Sequence, residues 1–181
     1  LKEKLKPYKC YITPHHMGYI TGFRGYNWKG FKDGDRQTPF VEMFSRHGLA
    51  ESDMGDYDYL HDMGPRIYEG SVQYGLEQGH KFGLMCSTDQ HAGYPGSYGD
   101  GRIGVLAPSL NRDDIWNNMG ARHIYGITGD KIKIDFSING AQMGDVIKGG
   151  RRDIFVGVEA QNFIDYVDII KNSECIARLN G

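Results

Sequence analysis

The chain has 181 residues, a formal net charge of -2 and a sequence pI near 6.4. That length suits one domain, or one domain plus a small appendage, with a sizeable core. The charge argues against general affinity for nucleic acid or anionic membranes. No apolar run approaches transmembrane length, no signal peptide is visible, and Cys10, Cys86 and Cys175 lie far apart in no metal-ligand spacing. Reduced thiols and a cytoplasmic setting are therefore expected. The 26 glycines and 12 tyrosines predict a loop-rich, aromatic surface.

Taken in order, residues 8–13 carry β-branched and aromatic side chains before Pro14 and predict a strand. His15 and His16 come directly after it. Neighbours on an extended segment face opposite ways, so one of the two is expected in any shared site; the alternative is a pair of exposed loop histidines. Residues 18–34 form a glycine- and aromatic-rich loop carrying Arg24 and Trp28. Residues 39–45 predict the next strand. Glu42 lies inside it, as a ligand or, by preference, a structural acceptor. Arg46 and His47 end it and offer either an anion-binding pair or a capped turn. Residues 50–64 are acidic and tyrosine-rich, with Asp53, Asp56, Asp58 and Asp62, and read as a solvated loop. Helical spacing over 65–78 places Ile67, Val72 and Leu76 on one side, and Gly79 supplies a stop.

Residues 84–87 form a short apolar run of the kind found in buried parallel strands. Asp89 and His91 stand just beyond its carboxyl end, where open α/β sheets and barrels place their chemistry. Residues two apart in extended backbone point the same way. One carboxylate and one imidazole can then approach one divalent ion. The glycine-rich stretch 93–101 lacks the Lys-Ser/Thr of a phosphate loop and opens into no helix, so it reads as a loop around the mouth of that site. No Gly-x-Ser-x-Gly elbow and no Cys beside a His are present, which leaves covalent nucleophilic hydrolysis without a candidate. His61, His80 and His123 show no evident partners and read as structural or exposed.

Residues 103–107 predict a strand, and Asn111 caps a helix over 112–122 with Asp113 and Asp114 in its first turn. Its expected buried face is Ile115, Trp116 and Met119. Residues 131–138 alternate strictly, with Ile132, Ile134, Phe136 and Ile138 on one face, and Asn139-Gly140 signals a hairpin turn. Further short strands are expected over 153–160, 166–170 and 175–179. The pattern divides near Gly129: residues 1–129 in βα style, then 130–181 as a small antiparallel β appendage.

Several of these residues resemble a known family. The stretch Ser87-Thr88-Asp89-Gln90-His91-Ala92-Gly93-Tyr94-Pro95-Gly96 resembles the last metal motif of the polymerase-and-histidinol-phosphatase (PHP) superfamily. Ile12-Thr13-Pro14-His15-His16 resembles an earlier metal motif, and residues 40–45 the strand after it. Within the carbaryl-hydrolase-like DUF3604 branch, the resemblance extends to Arg122-His123, Tyr125, Thr128-Gly129 and Ile132, to Asp135-Phe136, and to Asn139-Gly140 with Met143-Gly144.

The resemblance implies an α/β fold: the C-terminal part of a distorted (β/α)7 barrel followed by the antiparallel unit. It implies divalent metal ions (Zn, Mn or Fe) and hydrolysis of phosphoesters or related bonds. His15, Asp89 and His91 correspond to metal ligands, with Asp89 and His91 at the reacting centre; His16 departs from the commoner His-Pro pairing and is a further candidate. Arg24, Arg46 and His47 are the candidates to hold an anionic small-molecule substrate. The family's opening His-x-His is not found, and the chain starts at Leu1 rather than Met, so a fragment of a longer protein is expected, with homo-oligomerisation through exposed strand edges. The rival expectation is a non-catalytic binding or assembly module derived from such a barrel.

Overall fold

The computed structural model describes residues 2–52, 64–98 and 100–181. The acidic run with Asp53, Asp56, Asp58 and Asp62, and His61 with it, lies outside the described residues, as does Gly99 of the glycine loop.

After a single helical turn, α1 (Lys2–Leu5), the chain runs extended through residues 9–15 without joining a sheet. The strand expected over 8–13 is therefore absent. One backbone bond, Ile12 N–H to Gln37 O at 2.7 Å, touches it. Side chains hold it instead. The Tyr11 ring stacks on Trp116 at 3.9 Å and meets Phe40 edge-on, and its hydroxyl donates to Trp116 O. Prolines at 7 and 14 bracket the segment and remove donors from its ends.

The central strand is β1 (Phe40–Ser45). Its partners are β2 (Gly48–Leu49), antiparallel, and β3 (Gly83–Cys86), parallel, with Val41 opposite Leu84 and Glu42 opposite Met85. The crossover between β1 and β3 carries a 3-10 turn over 68–70 and the six-residue helix α2 (Val72–Glu77). Ser71 caps α2 by accepting from Tyr74 N–H, and Gly79, at φ +83°, turns the chain past its end. Met17, Trp28, Phe31, Val41, Ala50, Val72 and Phe82 form the core beneath. Burying an aliphatic or aromatic side chain such as Val41 or Phe31 contributes about 1.5–3 kcal/mol. Trp28 anchors the 18–34 loop there, its indole N–H donating to Ser71 O at 2.9 Å.

Beyond the glycine loop, β4 (Arg102–Val105) pairs antiparallel with β5 (Ile124–Ile127). Between them lies α3 (Arg112–Gly120), capped by Asn111, whose side chain accepts from Asp114 N–H. Ile115, Trp116 and Met119 are half-buried rather than buried. β5 lies against β3, with Ile124 over Gly83 and Gly126 on the Cys86 sulfur; a side chain at 126 would collide with that sulfur. Next come β6 (Ile132–Ile138), β7 (Ala141–Gln142) and β8 (Ile154–Ala160), all antiparallel. Asn139 and Gly140, both at positive φ, make the two-residue turn between β6 and β7. β9 (Tyr166–Lys171) and β10 (Glu174–Asn180) close the chain as a hairpin. Side chains tie this region to the preceding elements: Tyr125 Oη–H donates to Ile132 O, the Arg122 guanidinium to Gly144 O and Ser173 Oγ–H to Glu77.

These elements correct the expected α/β architecture. The described residues form four small sheets, mostly antiparallel, and no closed barrel. Barrel closure needs successive parallel strands, each covered by a crossover helix. Here β1 and β3 form the one parallel ladder among the described strands, and the helices have four, six and nine residues. The β4–β5 connection carries α3 yet returns the chain antiparallel, and β6–β7 and β9–β10 are joined by two-residue turns. Among the described residues no helix is long and apolar enough to cross a membrane.

Candidate metal centre

Because β1 and β3 run parallel, their carboxyl ends lie side by side, and the segments leaving those ends converge. β1 contributes Glu42 from its interior and His47 from the turn beyond it. β3 leads into Ser87, Asp89 and His91. The 14–16 bend supplies His15 and His16 from a third direction.

Asp89 is the hub. Its Oδ2 stands 3.3 Å from His47 Nε2, 3.5 Å from His15 Nε2 and 4.0 Å from His16 Nε2. Asp89 has φ +44°, the left-handed region that Asp tolerates better than most residues. Non-glycine residues held there cluster at functional sites. His91 Nδ1–H donates to the carbonyl of Asp89 itself at 2.8 Å, which leaves Nε2 outward. The His15 and His16 rings lie 3.3 Å apart, and the His47 ring is 5.8 Å from that of His16 and 5.3 Å from that of His91. Both adjacent histidines thus enter the cluster, against the expectation that one would. The alternation rule applies to a laddered strand, and this segment is not one.

Glu42 sits behind this cluster, 7 % exposed. Its Oε1 accepts from His15 Nδ1–H at 2.8 Å and its Oε2 from Ser87 Oγ–H at 2.7 Å. An ionised carboxylate only accepts, so the neutral His15 ring keeps its proton on Nδ1, and Nε2, 3.5 Å from Asp89 Oδ2, is the nitrogen left to meet a metal. A carboxylate behind a metal-ligating imidazole fixes its tautomer in this way. The electrostatics split the two neighbours. Burial, the largest single effect on His15, pulls its pKa down, but the Glu42 hydrogen bond and charge, with the Asp89 charge, raise it on balance. His16 goes the other way: burial, then the neighbouring His15 charge, lowers it. A neutral imidazole is the form with a lone pair to give. Cys86, 1 % exposed beneath the cluster, has its thiol pushed up to about 12 by burial and then by the Glu42 charge.

The donor chemistry fits a divalent ion. His15, His16 and Asp89 form one group, and His47, Asp89 and His91 a second, each with ligand atoms within 4.8 Å of one another. Imidazole nitrogen with carboxylate oxygen suits Zn, Mn or Fe. Asp89 belongs to both groups.

The structure thus gathers His15, His16, Asp89 and His91, and brings His47 in among the imidazoles rather than on a separate anion-binding edge. Arg46 is exposed; its Nη1–H donates to Gln90 Oε1 at 3.1 Å, beside the same segment. Arg24 is exposed at φ +69° in the 18–34 loop. His80 pairs with Asp33 and lies over Trp28, while His123 bonds Asn118 and Asp145, so both have structural partners. Asp135 and Glu159 of the β6–β8 sheet take no part; Glu159 pairs with Lys133. Glu42 takes the acceptor role expected for it in preference to a ligand's, since an ionisable group inside Phe-Val-Glu-Met-Phe is costly to bury unless it is paired.

No protein-family model matches the chain, and no solved structure matches it. The chain is similar to an uncharacterized protein of Chlamydia pneumoniae, 26 % identical over 191 residues, an alignment that covers 94 % of this chain and 31 % of that relative. The chain therefore spans about a third of the length of the curated relative it matches.

Proposed function

We propose that this chain carries the metal centre of a metal-dependent hydrolase acting on phosphoesters or related ester or amide bonds. The observation that supports it is the convergence of four imidazoles and two carboxylates, from three separate segments, on the carboxyl end of one parallel strand pair. His15, His16, His47, His91 and Asp89 would hold the metal. A divalent ion in such a site acts as a Lewis acid and lowers the pKa of a water. Glu42, braced by Ser87, holds the His15 ring with Nε2 forward. His91 keeps its Nδ1 proton on the Asp89 carbonyl. Arg46, exposed beside Gln90, is the cation placed to receive an anionic substrate group, with Arg24 a second candidate. The free thiols Cys10, Cys86 and Cys175 support a reducing compartment such as the cytoplasm.

The test is metal titration by calorimetry on four variants. Asp89→Asn and His91→Ala are expected to weaken Zn or Mn binding at least ~10-fold, while His80→Ala and His123→Ala leave it within about twofold. Hydrolysis of a generic phosphodiester should require the added metal and fall with the first pair. Equal affinity across all four would remove the assignment. Stoichiometric metal without turnover would favour the binding-module alternative.

A further inference from the structure

A second group of side chains, sharing no residue with the imidazole cluster, gathers where the β4–β5 pair meets the start of β6 and the end of β8. A shallow, open depression of about 610 Å³ lies there. Ile103, Ile127 and Ile132 give it an apolar lining, and Arg102, Lys131 and Lys133 bring three cations to it. Glu159 offsets Lys133 with an ion pair at 3.3 Å. The Asp130 carboxylate is turned to Lys131 N–H and Asn162 Nδ2–H. Three cations thus stand against two carboxylates, Glu159 and Asp130, which leaves a local surplus of one positive charge in a chain whose net charge is -2.

Arg102 is underused for a half-buried guanidinium. Of five N–H donors, among the described residues it commits one, from Nη2 to Gly129 O, and its Nε is buried with no hydrogen-bond partner. The Tyr98 ring stands 5.0 Å from the Arg102 guanidinium and 5.8 Å from Lys131 Nζ, and Tyr98 Oη–H donates to Gln161 Oε1 at 2.7 Å. One aromatic ring thus lies near both cations. Guanidinium donors without acceptors, a second cation and an apolar wall together suit an anionic head group on an apolar body.

We infer that this depression binds a small organic anion, its phosphoryl or carboxyl group on Arg102 and Lys131 and its apolar part on Ile103, Ile127 and Ile132. The site shares no residue with the metal centre, so it stands or falls separately from the hydrolase reading.

The experiment is an amide NMR titration of the full chain with phenylphosphonate, benzoate and benzyl alcohol. Phenylphosphonate cannot be hydrolysed as an ester, and the alcohol lacks the charge. Saturable shifts are expected at residues 102–103, 127 and 131–133, with a Kd of about 1 mM or tighter for at least one anion. Benzoate binding as well as phenylphosphonate assigns any organic anion; phenylphosphonate alone narrows the class to phosphoryl groups. Asp89→Asn should bind the anion as the unaltered chain does. Lys131→Gln, an exposed change that leaves the Arg102–Gly129 bond alone, should weaken binding about tenfold, as should Arg102→Gln if it folds. Binding of benzyl alcohol as tight as that of the anions, no saturation by about 10 mM, shifts confined to His15, Asp89 and His91, or unchanged affinity in Lys131→Gln would each overturn the proposal.

Discussion

Replacing Glu42 with Gln separates an orienting carboxylate from a merely buried one. The shape is kept, one acceptor oxygen remains, and the charge goes. The Ser87 hydroxyl can rotate to accept from the new amide, so the Gln oxygen can still face His15 Nδ1–H. Two hydrogen bonds to a charged group, at 2.8 and 2.7 Å, thus become two neutral ones. Charge-assisted bonds contribute about 1.5–3 kcal/mol and neutral ones about 0.5–1.5, so the metal-free protein should lose roughly 2 kcal/mol of stability. Loss of a carboxylate behind a metal ligand typically costs ~10–100-fold in metal affinity.

The pH dependence has a defined sign. His15 titrates above its ordinary value in the folded chain, because Glu42 and Asp89 outweigh the burial that opposes them. The stability this contributes is full below an unfolded imidazole pKa of about 6.5 and fades as pH rises through the raised folded value. Glu42→Gln removes the larger of the two supports. The stability gap between the two proteins, measured by urea unfolding with chelator present, should therefore be wider near pH 6 than near pH 8. Calorimetric titration with Zn gives the affinity. A variant that folds normally, binds metal within about twofold of the unaltered chain and shows a pH-independent gap would refute the orienting role.

Three further expectations concern the scaffold. Cys86, buried with its thiol pushed up to about 12, should resist iodoacetamide at pH 8 in the native chain while exposed Cys175 reacts, as peptide mass mapping would show; equal labelling would contradict the burial beneath Gly126. Asn111→Ala removes the α3 cap and should cost about 1 kcal/mol by urea unfolding, with an unchanged midpoint counting against the cap. Val41→Ala deletes two methyl groups at a position 0 % exposed and should cost about 2–3 kcal/mol; a change below about 0.5 would place Val41 outside the core.

What the amino acids determine on their own here is local. Asn111 starts a helix because its side chain reaches an N–H three residues on, whatever surrounds it. Asn139-Gly140 turns the chain because both residues tolerate positive φ. Residues 40–45, 84–86 and 132–138 are extended where apolar and β-branched residues make them so, and Asp89 and His91 are recognisable as a pair at a strand end. Only the tertiary structure decided which strands are neighbours. An apolar run such as 84–86 reads the same in a closed barrel as in a three-stranded sheet, because strand pairing depends on burial between residues far apart in the chain. The parallel register of β1 on β3 moved His47 into the imidazole cluster and set Ser87 against Glu42. The packing of Tyr11 between Trp116 and Phe40, without a ladder, aimed both His15 and His16 at Asp89, 73 or more residues along the chain. Neither contact has a local pattern to announce it, since each exists only once distant segments bury their apolar sides together.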